Sequence, residues 1–217
     1  MTPNLITLSN PRSQAAEAYR TLRTNLIFSS VDRALHTLVV TAPDPGTDSG
    51  ITAANLAVTL AQGGRRTLLV DCDLRRPGQH TLWGVDNTRG LTTMMLEEDA
   101  MNQPPLVDVG VEGLSLLPSG PLPPNPADLL SSQRMETVID TLKAQADVLL
   151  FDAPPVLAVT DAVLLGVKLD GELLVVRSGH TRRDDAARAR ETLERVGVWV
   201  VGAVLSNVPS SAIAAEY

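Results

Sequence analysis

The sequence predicts an α/β fold, with a mainly parallel central sheet and helices on both faces. Three observations carry this. Apolar, β-branched-rich runs alternate with helical patterns along the whole chain. Those runs are continuously apolar rather than alternating, as strands buried on both faces must be. Two of them, Thr67–Asp71 and Val148–Asp152, end in an aspartate, and open parallel sheets place ligand sites outside such strand ends.

In chain order, a helix is predicted over 13–28, where polar and apolar residues mix without proline or glycine. The run Leu38-Val39-Val40-Thr41-Ala42 gives a strand near 37–42, followed by a loop and a helix over 51–62. Gly63-Gly64 closes that helix, as a C-terminal glycine should. A strand follows at 66–71, a helix at 90–96 and a strand at 114–118. The run Pro118-Ser119-Gly120-Pro121-Leu122-Pro123-Pro124-Asn125-Pro126 is too rich in proline for helix or strand. It reads as a rigid connector, with Asn125 as N-cap and Pro126 at the first helical position of a helix over 126–145. Strands at 147–152, 172–177 and 198–206 then alternate with helices at 160–168 and 181–196. Neither repeats nor a domain-scale linker interrupts residues 1–217, so one domain is expected.

The bulk numbers exclude several classes. Hydrophobic content of 44% with 20% charged residues describes a soluble globular protein. Aromatics are 3%, so Leu, Val and Ala must fill the core. A net charge of −7 argues against a nucleic-acid partner. The lone Cys72 allows no internal disulfide and fits a reducing cytosol. It lies between two aspartates, but without clustered histidine it is a poor metal ligand set; His36, His80 and His180 are scattered. The N-terminus lacks a basic start before an apolar run, so no signal peptide is expected. No apolar stretch approaches the roughly 20 residues that span a bilayer. A membrane role would come through a partner.

The acids point to a nucleotide. Asp71 and Asp73 are two apart, so in a continuing strand they share a face and could both reach a metal–phosphate site. Aspartate is also common in turns and caps. Asp152, at the end of a second apolar strand, favours the functional reading. The phosphate loop then belongs at Pro45-Gly46-Thr47-Asp48-Ser49-Gly50-Ile51, after the first strand. Such a loop needs glycines so that backbone N–H groups can wrap phosphate. It also needs a lysine for the β/γ charge and a Ser/Thr hydroxyl for the metal. The chain has two lysines, Lys143 and Lys168, and neither is near.

An ordered series of motifs resembles the cytoplasmic P-loop domain of bacterial tyrosine kinases (BY-kinases). The series runs from about residue 10 to residue 208. It comprises Glu17-Ala18-Tyr19-Arg20-Thr21-Leu22-Arg23, Ala53-Ala54-Asn55, Asp71-Cys72-Asp73-Leu74-Arg75-Arg76-Pro77, Gly90-Leu91-Thr92, the proline connector, Asp152-Ala153-Pro154-Pro155 and Thr160-Asp161-Ala162. The resemblance implies a three-layer P-loop NTPase fold, ATP and Mg²⁺ as ligands, and a place in capsule or exopolysaccharide synthesis. It implies Asp71 as the acid assisting an acceptor hydroxyl, with Asp73 and Asp152 holding magnesium. It implies self-association through Glu17, Arg20 and Arg23 within residues 1–30, although Glu17 and Arg20 are also i,i+3 neighbours that could simply pair on one helix. The implied partners are copies of the chain and the cytosolic tail of a membrane co-polymerase or adaptor, at the inner face of the membrane.

The chain departs from the family in two places. Without gaps, Asp48 falls where the family has glycine, Ser49 on the lysine, and Gly50 on the magnesium-binding Ser/Thr. Sliding the register so that Thr52 becomes the metal ligand puts Ile51 on the lysine. Losing the amine removes a charge-assisted bond of about 1.5–3 kcal/mol. Asp48 brings negative charge toward a polyanion, and ATP·Mg²⁺ is expected to bind weakly or not at all. The second departure is the tail, residues 209–217, expected to be flexible. It carries one tyrosine, Tyr217, where the family has a cluster; Tyr217 could be phosphorylated in trans by an active relative. The helix over 181–196 mixes Arg182, Arg183, Arg188, Arg190 and Arg195 with Asp184, Asp185, Glu191 and Glu194, and reads as a solvated face. The overall expectation is a catalytically impaired, oligomeric regulator. The alternatives are an active tyrosine autokinase and a ParA/MinD-like positioning ATPase.

Overall fold

The computed structural model describes residues 3–29 and 33–209. Tyr217 lies outside the described residues. The chain opens with a single turn, α1 (Ile6–Ser9), and a long helix, α2 (Gln14–Ser29). Then follow β1 (Thr37–Thr41), α3 (Ser49–Gln62), β2 (Thr67–Asp71), α4 (Gln79–Trp83), α5 (Leu91–Leu96) and α6 (Glu98–Asn102). The second half contains β3 (Val107–Asp108), β4 (Leu114–Leu117), α7 (Pro126–Ser131), α8 (Gln133–Lys143) and β5 (Val148–Asp152). It ends with α9 (Asp161–Gly166), β6 (Gly171–Arg177), α10 (Arg183–Arg195) and β7 (Val200–Ser206).

The seven strands form one sheet in the order β3-β4-β2-β5-β1-β6-β7. All pairings are parallel except β3 with β4. Successive side chains leave opposite faces, so each central strand feeds two cores. Leu38 and Val40 join Leu69, Leu150 and Leu173 beneath the buried alanines of α3, with Leu5 and Leu26 beside them. Val39, Leu68, Val70 and Phe151 turn to the other face, against Met135 and Ile139 of α8, Leu165 of α9 and Leu193 of α10. This is the predicted three-layer arrangement, with β5 and β1 at its centre.

The sequence reading missed four short elements, α1, α4, α6 and β3, none longer than five residues. They are too short to show a period. The helix predicted over 126–145 is two helices. The chain turns extended at Ser132 (φ −66°, ψ 157°), whose hydroxyl accepts from the Met135 N–H and caps α8. Asn125 does stand at the N-cap of α7 with Pro126 behind it, but its side chain makes no capping bond.

Candidate active site: the phosphate loop and the acid-bearing strand ends

The strand ends meet as expected. β2 and β5 are neighbours, and Asp71 and Asp152 are register partners. A cleft of about 310 Å³ opens above them, lined by residues 45–51, Asp73, Arg76, Gln79 and Asp152–Pro155.

The aspartates are used differently. β2 ends at Asp71, so Asp71 and Asp73 do not share a strand face. Asp71 is fully buried and turns to the following loop. Its carboxylate accepts N–H bonds from Asp73 (3.3 Å), Gly78 (3.1 Å) and Gln79 (3.0 Å). Burial pushes its pKa up to about 7, partly offset by the Gln79 amide and raised further by Asp73. Asp73 is half-buried at the cleft and accepts the N–H groups of Arg75 (3.1 Å) and Arg76 (2.9 Å). Asp152 is driven well above the usual carboxylate range, first by burial and then by Asp71. Cys72 between them is buried and unpaired; burial and the neighbouring carboxylates push its thiol up. Among the described residues no cluster of three or more His, Cys, Asp or Glu has the geometry to hold a metal ion.

The phosphate loop is tied down from outside. Arg177, at the end of β6, donates to the Gly46 carbonyl at 2.6 Å. His180 contacts the Pro45 carbonyl at 3.2 Å. Thr181 and Thr47 both donate to Asp44, at 3.0 and 3.2 Å. Gly46 has φ +93°, and a Cβ there would lie 2.9 Å from His180 Nε2; only glycine meets both demands. Asp48 adopts φ −81°, ψ 68°, an inverse γ-turn in which the Ser49 N–H bonds the Thr47 carbonyl at 2.9 Å. One donor that a phosphate would need is therefore spent within the loop. Asp48 itself is exposed and caps nothing with its side chain. Ile51 is 44% exposed at the edge of the cleft.

These residues do not fit a lysine-clamped magnesium nucleotide. Position 49 has a hydroxyl, not an amine. Gly50 offers no side-chain ligand, and its surroundings are closed: a Cβ at position 50 would stand 2.7 Å from Asp152 Oδ2 and 3.0 Å from Gln79 Nε2. Gln79 fills this space, donating to Asp152 at 2.7 Å and to the Gly50 carbonyl at 3.0 Å. Sequence reasoning did not single out Gln79, Arg177, His180 or Thr181 as site residues. Gln79 opens a five-residue helix, and the other three lie at or just after the end of β6, 131 or more positions from the loop residues they touch. No local spacing marks them.

The flanking motifs fall into place around the cleft. Arg75 forms a two-pronged ion pair with the buried Asp161, both bonds 2.9 Å, and so pins the Asp73 loop to α9. Glu17 and Arg20 pair on α2 at 2.6 Å. Arg23 instead reaches the Thr59 carbonyl in α3, at 2.9 Å. Tyr19 bonds Thr52, the residue that follows the phosphate loop, in the first turn of α3. On α10, Arg188 pairs with Asp185 and Arg190 with Glu194, both at 3.2 Å, which makes it the mixed, solvated face expected.

No family model matches the chain. It is 44% identical over 208 residues to the tyrosine-protein kinase YwqD of Bacillus subtilis, covering 95% of this chain and 87% of that one. It is 32% identical over 199 residues to the putative tyrosine-protein kinase CapB of Staphylococcus aureus, covering 92% and 87%. Among solved structures, the kinase domain of the Escherichia coli tyrosine kinase ETK superposes with a TM-score of 0.89 at 32% identity, over 95% of this chain and 80% of that one. The chimerical protein CapA2B2 superposes with a TM-score of 0.88 at 34% identity, over 95% and 90%. A MinD protein from Pyrococcus horikoshii reaches 0.64 at 23% identity, a likeness of fold alone. Sequence similarity along nearly the whole length, on a shared P-loop α/β fold, leads to one conclusion: the chain belongs to the bacterial tyrosine-protein kinases.

Proposed function

We propose that this chain is a catalytically impaired member of its family, acting as an oligomeric regulator of capsule or exopolysaccharide synthesis at a membrane partner. One observation carries the reading. The phosphate loop has no amine, and the place where a metal ligand on residue 50 would meet Asp152 is filled by Gln79. The Ser49 N–H is turned inward as well. The family's cofactor, ATP with Mg²⁺, therefore loses its charge clamp, a metal ligand and a backbone donor together. Docking to a partner needs only a folded surface, so it survives those losses. No helix among the described residues is long and apolar enough to cross a membrane.

Calorimetric titration of ATP·Mg²⁺ into the purified chain tests this. The parent is expected to bind no tighter than millimolar. The variant Asp48→Gly/Ser49→Lys, which leaves the closed position 50 unchanged, is expected to bind roughly 10- to 100-fold tighter, since it regains an amine–phosphate contact worth about 1.5–3 kcal/mol. Micromolar affinity in the parent would falsify the reading. An active autokinase is the second reading, favoured by the retained Asp71, Asp73 and Asp152 and by the Arg177 guanidinium and the His180 imidazole against the loop. Against it, the Arg177 guanidinium is already bonded to the Gly46 carbonyl.

A further inference from the structure

Gln79 uses every polar group it has. Its backbone N–H donates to Asp71 at 3.0 Å. Its side-chain NH₂ donates to Asp152 Oδ2 at 2.7 Å and to the Gly50 carbonyl at 3.0 Å. Its side-chain oxygen accepts from the Trp83 indole at 3.3 Å. An indole N–H can only donate, so Trp83 fixes which end of the amide faces the cleft. The side chain is 1% exposed. One residue thus joins the first turn of α3, the ends of β2 and β5, and α4.

The two oxygens that the amide bridges are the kind a hard divalent cation takes: a carboxylate and a carbonyl. They also lie beside residue 50, where the family resemblance places a metal ligand. We propose that the Gln79 carboxamide stands in for a divalent cation. It is a positioning residue that holds the phosphate loop against Asp152 with no ligand bound. The proposal rests on the reading of an impaired site and extends it: the loop and the acid-bearing strand ends are locked by the chain itself, so the fold around the cleft stays closed whatever the supply of metal or nucleotide. An amide suits this task because its two N–H groups diverge toward two acceptors. A glutamate in its place would lose both N–H donors and set a second carboxyl group against Asp152, and a divalent cation between them would restore the bridge.

Hydrogen exchange of the full chain, with and without millimolar Mg²⁺ or Mn²⁺, tests the proposal. The parent is expected to exchange identically in both conditions over residues 44–52 and 72–80. Gln79→Met keeps the packing beside Trp83 but removes the donors. It is expected to speed exchange in both segments by about tenfold while β6 and β7 keep their protection. Gln79→Glu is expected to exchange fast without metal, to regain protection in millimolar Mg²⁺, and to bind one Mn²⁺ per chain by paramagnetic resonance. A purely packing role predicts no such metal dependence. Unchanged exchange in Gln79→Met, metal-dependent protection in the parent, or a Gln79→Glu chain that ignores metal would each overturn the proposal. Tight ATP binding by the parent would overturn the functional reading and leave these exchange results unaffected.

Discussion

Glu172 stands on β6 with both carboxylate oxygens buried and without a hydrogen-bond partner among the described residues. It packs against Gly166 of α9, where a Cβ would approach Glu172 Oε1 to 2.3 Å. Burial pushes its pKa from 4.5 up to about 8. The sign of the consequence follows from the two states. Above pH 4.5 the unfolded chain releases this proton, while the folded chain keeps it until about pH 8. The folded state therefore binds more protons across that window, and stability falls as pH rises through it. The full difference is of order a few kcal/mol at about 1.4 kcal/mol per pKa unit. Asp71, raised to about 7 by its own burial, acts in the same direction. Glu172→Leu is expected to stabilise the chain at pH 8 and to flatten the decline of melting temperature between pH 5 and pH 8, relative to the parent. Parallel melting curves for the two proteins across that range would show that the carboxyl is not the cause.

At the scale of elements, α2 does two things with one motif. Glu17 and Arg20 pair on its outer side, while Arg23 crosses to the Thr59 carbonyl and lies against Gly63 at the end of α3. The three residues were read from the sequence as one interface. Arg23 is tied to α3, while Arg20 bonds only Glu17 and the nearby Pro11 carbonyl, so the roles can be separated. Arg23→Ala is expected to cost about 1–2 kcal/mol of stability, the value of a partly buried charge-assisted bond. Arg20→Ala is expected to cost less, about 1 kcal/mol for its local bonds, yet to lower the mass seen by light scattering. An unchanged mass in Arg20→Ala would remove the interface from α2, and an unchanged melting temperature in Arg23→Ala would remove the clasp. α1 works alongside: Thr7 bonds Asn55 of α3 through both its N–H (3.1 Å) and its hydroxyl (2.9 Å). Asn55 in turn holds the Ile51 carbonyl at 2.9 Å. The helix that follows the phosphate loop is thus anchored by the first two helices of the chain.

At the scale of the molecule, the cleft sits where β2, β5 and β1 end, and three separate stretches line it: the phosphate loop, the segment from Asp73 to Leu82, and Asp152–Pro155, with the turn after β6 bracing the loop from outside. This wall is held by bonds within the chain, in keeping with the docking role proposed above. Recruitment is expected to depend on a membrane partner. Fractionating cells with and without the partner gene checks it: the chain is expected to shift from the membrane to the soluble fraction when the gene is lost. Equal amounts in the soluble fraction of both strains would end the case for a scaffold role.

The sequence by itself determined the layer architecture, because continuous apolar runs can be satisfied only by a sheet covered on both faces, and all the long strands and helices were legible that way. It also determined the family and the departure from the family's loop pattern: Asp48, Ser49 and Gly50 are covalent facts, and no folding can add a lysine. What it left open were contacts between distant residues. The strand pattern shows that Asp71 and Asp152 end neighbouring kinds of element, but only strand order makes them register partners. Asp71 and Asp73 look equivalent at a spacing of two, yet β2 stops at Asp71 and one carboxylate turns inward to three amides while the other faces the cleft. Gln79 and Arg177 carry no local signal, since the partners that tie them to the phosphate loop and to Asp152 lie 29 to 131 residues away along the chain. Local periodicity is a property of neighbours in sequence; the closure of the site is a property of neighbours in space, and only the tertiary structure brings those together.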